Sequence, residues 1–389
     1  MTTTTTVPKL GAGQGTNPLT GLLAYGQSPW MDYVRRDLLT SGQLKKYIDN
    51  DGLRGMTSNP AIFEKAITGS NLYDDILSSP DARKLDANGL FEKIAFRDVQ
   101  DACDIFKPVY TDTHRRDGYV SLEVSPFLGF DTKASLAEAR RLWKAVDRPN
   151  VMIKIPGTPE GLPAIRQTLE EGININITLL FAQSAYEQVA EAFLAALEAR
   201  AAKDQDISQI ASVASFFVSR IDSLVDSKID EKLKTNVDPG QSALLESIRG
   251  KIAIANARLT YKKYQELFGG PRWKALAARG AQTQRLLWAS TSAKNPKYRD
   301  VLYVEELIGS DTVDTIPPAT FDAFRDHGKL RPSLTENVEG AAKTMADLAK
   351  AGISMKEVTD KLMVDGVKIF ADAFKTLLDG VGKSAGVRA

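Results

Sequence analysis

From about residue 30 to residue 330 the chain alternates short runs of β-branched and aliphatic residues with longer amphipathic stretches. The short runs are Leu53–Ser58, Tyr119–Val124, Val151–Ile155, Ile173–Leu179, Ile210–Phe217, Arg285–Ser290 and Thr312–Ile316. A shorter eighth lies near Trp30–Asp32. Helical patterns occupy Pro60–Leu77, Leu90–Phe106, Lys133–Val146, Glu160–Glu170, Gln183–Ala201, Arg220–Leu233 and Leu244–Phe268, with a short one at Tyr33–Leu39. A helix between two strands returns the chain to the same end of the sheet, so this rhythm selects parallel pairing. Eight such units predict an α/β fold, a closed (β/α)8 TIM barrel.

Domain organisation follows from what does not interrupt that rhythm. No Pro/Ser linker cuts residues 30–330, and no internal repeat is visible. Residues 20–389 are expected to form a single barrel domain. Helical additions begin at about 331, where Val338, Ala341 and Met345 fall at helical spacing. These Arg331–Ala389 helices could cover the barrel or mediate contacts in an oligomer. Residues 1–19 are rich in Thr and Gly and read as a disordered leader. They lack the basic and then apolar regions of a secretory signal. Within them, Gly11-Ala12-Gly13-Gln14-Gly15 superficially resembles a dinucleotide loop, but no strand precedes it and no helix follows directly.

Composition removes several classes of function. Fifty basic residues balance 49 acidic ones, for a net charge of +1, which argues against an electrostatic nucleic-acid binder. No apolar run approaches the ~18 residues of a membrane span. The single cysteine, Cys103, excludes an intrachain disulfide and points to a reducing, cytoplasmic compartment. Cys103 shares a helical face with Phe96, Val99 and Phe106 and reads as core. The two histidines, His114 and His327, fall in polar surroundings and read as surface. A chain so poor in His and Cys cannot easily assemble a zinc site, so no metal is expected.

Successive strand residues point to opposite sides. In Ile173-Asn174-Ile175-Asn176-Ile177-Thr178 the isoleucines suit the helix-facing side, which turns Asn174, Asn176 and Thr178 into the lumen. The same argument turns Lys154 inward from Val151-Met152-Ile153-Lys154-Ile155. It also turns Ser121, Glu123 and Ser125 inward from the third strand. Lysine and glutamate are almost never buried without partners. Two readings follow: a buried structural ion pair, or a catalytic lysine at the end of a barrel strand where barrel active sites lie.

Five segments now carry a family resemblance. Met56-Thr57-Ser58-Asn59-Pro60, followed by Ala61-Ile62-Phe63-Glu64-Lys65, resembles the N-terminal signature of transaldolases. Ile153-Lys154-Ile155-Pro156-Gly157-Thr158 resembles the segment bearing their Schiff-base lysine. The strand from Glu171 to Phe181 resembles the one that follows it. Ser215-Phe216-Phe217-Val218-Ser219-Arg220 and the run from Trp288 to Pro296 resemble the phosphate-side segments. The order matches over roughly residues 20 to 380, most closely to the longer bacterial type.

The resemblance implies a transferase of carbohydrate metabolism that needs no cofactor. Such an enzyme moves a dihydroxyacetone unit from sedoheptulose 7-phosphate to glyceraldehyde 3-phosphate in the pentose phosphate pathway, giving erythrose 4-phosphate and fructose 6-phosphate. Sugar phosphates are then its partners. Lys154 would form the Schiff base, and a neutral amine is needed. At an ordinary pKa of ~10.4 only about one in a few thousand is neutral at pH 7. Burial would lower that pKa and Glu123 would raise it; desolvation is expected to win, with Glu123 held off by a water. Glu123 matches the family's acid/base glutamate, acting through a water held partly by Thr178. Asp32 matches the aspartate that handles the proton of the scissile hydroxyl.

The remaining roles also come from the resemblance. Asn59, Asn176 and Ser215 would hold the dihydroxyacetone hydroxyls. Thr57 and Ser58 lie beside Asn59, and by alternation only one of them faces in. Arg220 and Ser290 would bind phosphate. The shorter family type has an arginine two residues after that serine, where this chain has Ser292, so Lys294 would supply the charge. Four assignments have plainer rivals: Asp32 as a helix cap or surface aspartate, Asn59 as a helix cap, Thr178 as lumen packing, Lys294 as a solvated loop lysine.

Other functions remain open at this point. An aldolase of the same fold, like fructose-6-phosphate aldolase, would release dihydroxyacetone to water; those enzymes resemble this pattern with a glutamine in place of Glu123. A noncatalytic sugar-phosphate-binding barrel would not need the Glu123 and Lys154 pair. A pyridoxal-phosphate enzyme would absorb visible light.

Overall fold

The computed structural model describes residues 17–235 and 238–386. Eight parallel strands close in chain order: β1 Gln27–Asp32, β2 Gly55–Thr57, β3 Tyr119–Glu123, β4 Val151–Pro156, β5 Ile175–Leu180, β6 Ser212–Phe217, β7 Arg285–Ala289 and β8 Thr312–Ile316. β8 pairs with β1 and completes the barrel, with Trp30 opposite Thr315. Every strand expected from the alternation is present, within three residues at each end. Among the described residues no helix is long and apolar enough to cross a membrane.

The alternation also sorts the faces. Val120, Ile153, Ile155, Ile175 and Ile177 are fully buried between the barrel and its helices. Inside, Asn176 donates to Ser121 Oγ at 3.0 Å and accepts from Ser215 Oγ at 2.6 Å. These bonds tie β5 to β3, two strands away, and to its neighbour β6. Trp30 fills the middle of the barrel. Its indole lies so close to β2 that a Cβ at position 55 would come within 2.5 Å of it, which explains Gly55. Below, Arg285 closes the N-terminal end by pairing with Asp117 at 2.8 Å and donating to Ser28 Oγ at 2.7 Å.

Four expected helices are redrawn, one of them, Leu90–Phe106, only in length, since it runs from Ala87 to Asp112. The stretch Pro60–Leu77 is two helices, Pro60–Thr68 and Asp74–Leu77, separated at Gly69. The stretch Leu244–Phe268 is also two, Pro239–Ile248 and Ile252–Leu267, because Gly250 between them has a left-handed φ of 66°. The short helix expected at Tyr33–Leu39 runs from Arg36 to Thr40. Residues 1–16 of the expected leader, and the Gly11–Gly15 run, lie outside the described residues. Its last residues depart from expectation, because Pro18 and Leu19 open the helix Pro18–Ala24, with Leu19 fully buried.

The C-terminal additions are the helices Val338–Lys350 and Met355–Ala385. The second packs on Pro60–Thr68, Ser219–Leu233 and β5, and so crosses the C-terminal mouth of the barrel. Its buried stripe runs through Leu362, Gly366, Phe370, Phe374, Leu377 and Val381. That spacing of three or four residues gives one apolar face.

Candidate active site

The C-terminal ends of the strands surround a polar cavity of about 150 Å3. Asp32, Thr57, Lys154, Thr178 and Ser215 line it from the barrel. Asn59, Arg220, Ser290 and Lys294 line it from the segments that follow the strands. Of the eleven side chains singled out in the sequence, these nine reach the cavity wall.

Lys154 stands on β4 directly opposite Glu123 on β3. Its Nζ lies 3.2 Å from Glu123 Oε2, and the two side chains are 6% and 4% exposed. Glu123 is therefore not held off by a water, as expected, but touches the amine directly. Partners in register on adjacent strands are only ~5 Å apart at the backbone, so the two charged ends meet directly. The contact is an ion pair without hydrogen-bond alignment, and neither Glu123 oxygen has a hydrogen-bond partner among the described residues. Lys154 instead donates to the Ser58 carbonyl at 3.1 Å. Burial pushes the Glu123 carboxyl above its ordinary range, against the pull of Lys154.

The Thr178 hydroxyl is buried without a partner as well. Unsatisfied buried polar atoms are costly, and natural structures hold few of them. Two such atoms beside one lysine, Glu123 Oε1 and Thr178 Oγ1, mark a place built for a polar guest.

Asp32 ends β1 beside this group. Its Oδ1 accepts from Thr57 Oγ1 at 2.6 Å and its Oδ2 from Asn59 Nδ2 at 3.3 Å. Asp32 is not a helix cap: Arg35 takes that position before Arg36–Thr40, with no side-chain cap bond. Burial raises the Asp32 carboxyl, opposed by Lys154, the Thr57 hydrogen bond, Lys294 and Arg220. Asn59 does both things considered for it. Its Oδ1 caps Pro60–Thr68 by accepting from Ile62 N at 3.1 Å, while its amide donates to Asp32. Thr57 is the residue that faces in. The Ser58 hydroxyl bonds the Ser121 carbonyl at 2.8 Å.

Asn176 sits one layer deeper than the cavity wall, its amide held by Ser121 and Ser215. Asn174 is lower still and braces the N-terminal end through the Pro149 carbonyl and Ala211 N–H.

The mouth is cationic. Arg220 opens the helix Ser219–Leu233, with its guanidinium 5.4 Å from the Phe217 ring. Burial lowers its pKa, against the pull of Asp32. Ser290 leaves β7 with a left-handed φ of 58°. Its hydroxyl is 3.0 Å from Ser219 Oγ, and its carbonyl accepts from Ser219 N at 3.1 Å. The loop after β7 is thereby tied to the helix of Arg220. Lys294 is exposed on one side but lines the mouth, donating to Ser292 Oγ at 2.6 Å. Burial and the neighbouring Arg220 lower its pKa, against Asp32. Three cations and two carboxyls around a polar cavity suit an anionic, hydroxyl-rich guest. Among the described residues no group of three or more His, Cys, Asp or Glu is placed to hold a metal ion.

A family profile described as Transaldolase/Fructose-6-phosphate aldolase matches residues 29–381. The chain belongs to that family. Among relatives of the transaldolase/fructose-6-phosphate aldolase family, a protein named Transaldolase from Trichodesmium erythraeum is 48% identical over 368 residues, covering 94% of this chain and 97% of that one. The Transaldolase of a Parafrankia species is 46% identical, covering 96% and 99%. That of Thiobacillus denitrificans is 44% identical, covering 92% and 97%.

Within this family barrel, periodicity singles out neither Phe217 nor Phe370 as a site residue, yet both line the cavity. Phe370, from the helix Met355–Ala385, enters the site beside Lys154 and Arg220. Its place in an apolar stripe signals burial, but nothing local says that the stripe lies over the barrel mouth. The residues read as inert behave so. Cys103 is fully buried, and burial pushes its thiol far up. His114 and His327 are exposed.

Proposed function

We propose that the chain is a transaldolase acting through a Schiff base on Lys154. The observation that carries this reading is a nearly dry lysine paired with a carboxylate at the floor of a cavity with Arg220 and Lys294 at its mouth. Cleaving a carbon–carbon bond next to a carbonyl needs an electron sink, which an iminium supplies. Lys154 attacks the ketose carbonyl, and the carbinolamine loses water as Glu123 moves the protons through a water held partly by Thr178. Asp32 takes the proton of the scissile hydroxyl, for which its Thr57 and Asn59 contacts aim it. The aldehyde departs and the three-carbon unit stays on Lys154 as an enamine, its hydroxyls held by Asn59, Ser215 and, from beneath, Asn176. Attack on an acceptor aldehyde and hydrolysis complete the turn.

Arg220, Ser290 and Lys294 bind the phosphate. The donor and acceptor are sedoheptulose 7-phosphate and glyceraldehyde 3-phosphate, and the setting is the cytoplasm.

The test is borohydride reduction in the presence of fructose 6-phosphate, followed by mass spectrometry. A dihydroxyacetone adduct on Lys154, absent in Lys154→Ala, is expected. An adduct that survives Lys154→Ala overturns the assignment. Acceptor-independent release of dihydroxyacetone as the main activity would favour the aldolase reading.

A further inference from the structure

The helix Met355–Ala385 is seated on the strand that carries Thr178. Its contact is Gly366, where a Cβ would come within 2.9 Å of Leu179 Cδ2. Leu179 follows Thr178 directly and has a left-handed φ of 61°, at the irregular pairing between β5 and β6. One turn beyond Gly366, Phe370 projects into the cavity with 6% exposure. Its ring centre is 5.5 Å from Lys154 Nζ and 5.9 Å from Arg220 Cζ. One phenyl group therefore borders both the amine pole and the phosphate pole.

The chemistry of that position is particular. An aromatic face attracts a cation without neutralising it. It also displaces water as an aliphatic side chain would. A ketose bound with its carbonyl at Lys154 and its phosphate at Arg220 has its breaking bond between those poles, alongside this ring.

We propose that Phe370 helps to set the partition between transfer and release of the three-carbon unit. This rests on the Schiff-base reading of Lys154. After cleavage the unit is an enamine. In transfer, its nucleophilic carbon forms a bond to the acceptor aldehyde carbon, and the aldehyde oxygen takes a proton. In release, the same carbon takes a proton from solvent to give an iminium. Water then adds to the C=N carbon and the C–N bond breaks, giving dihydroxyacetone and the free amine. Both branches end in iminium hydrolysis, but only release first needs a solvent proton on carbon. Phe370 keeps solvent from that carbon. Gly366 on Leu179 fixes the height of the ring.

The experiment compares wild type with F370A, F370Q and F370L. The readout is the ratio of free dihydroxyacetone formed from fructose 6-phosphate alone to sedoheptulose 7-phosphate formed when erythrose 4-phosphate is added. F370A and F370Q, which admit water, are expected to raise the ratio about tenfold. F370L, which keeps the site dry, should stay within about twofold of wild type. In deuterium oxide the dihydroxyacetone released by F370A should carry carbon-bound deuterium. Should F370A fail to fold, F370Q carries the test, because it retains most of the buried volume. An unchanged ratio in the folded variants, however far the total rate falls, overturns the proposal and leaves Phe370 a packing residue. Lack of a borohydride adduct in wild type is a different result and strikes the Schiff-base reading instead.

Discussion

Lys154 and Glu123 face each other in register on neighbouring strands, with Nζ and Oε2 3.2 Å apart and both side chains almost wholly out of water. A buried pair of this kind is seldom a net source of stability, because both charges lose hydration. Its retention makes sense if the two groups exchange protons with a substrate. Glu123→Gln keeps the shape and removes the acid/base function. It should lower kcat by about 10²–10⁴-fold while the borohydride adduct still forms. Steady-state kinetics with mass spectrometry reads both, and wild-type turnover in the variant would refute the role.

At the mouth, Arg220 and Lys294 lie on segments joined through Ser219 and Ser290. Charge-assisted contacts to a phosphate contribute roughly one to two powers of ten each in affinity. Arg220→Ala and Lys294→Ala should each raise KM for fructose 6-phosphate by about 10–100-fold. Cleavage of unphosphorylated fructose should be nearly unaffected. Equal losses on both donors would remove the phosphate assignment.

The opposite end of the barrel holds a second buried pair, with quite different consequences. Arg285 and Asp117 are 2.8 Å apart, and Asp117 also accepts from Ser28 Oγ at 2.8 Å and Trp30 Nε1 at 3.2 Å. Removing one partner strands a charge, at a cost of about 3–5 kcal/mol. Asp117→Asn and Arg285→Met should lower the denaturation midpoint accordingly. Activity per folded molecule should survive, since this end of a barrel serves stability. Parallel urea denaturation and active-site titration separate the two effects.

Asp314 on β8 is fully buried, bonded to Thr291 Oγ1 at 3.0 Å through Oδ1, while Oδ2 has no hydrogen-bond partner among the described residues. Burial pushes its pKa up to about 8. The folded chain keeps this proton until about pH 8, whereas the unfolded carboxyl loses it near ~3.9. Folding takes up a proton between those values, so this group's contribution to stability falls as pH rises through that window and levels off above it. Asp314→Asn removes the titration. Its Tm should fall less steeply than that of wild type from pH 4 to pH 8, and identical slopes would show that Asp314 does not titrate there.

Much of this was legible from period alone. Alternation in residues 173–178 and 151–155 turned Asn176, Thr178 and Lys154 to the inside, because a strand has only two faces. The helix break at Gly250 was harder to see, since an apolar pattern continues on both sides and only a left-handed φ parts them. The rival roles of Asn59 could not be ranked from sequence. Capping needs a neighbour three residues on, whereas the bond to Asp32 spans 27 residues.

The amino-acid order thus determined the number of strands, their approximate bounds and their inward residues. All are properties of near neighbours or of a repeating pattern. Tertiary structure alone decided that Glu123 touches Lys154 without a water between them, and that the last helix places Phe370 over the amine. Those distances depend on strand stagger and on how a distant helix docks, which burial of the whole core settles.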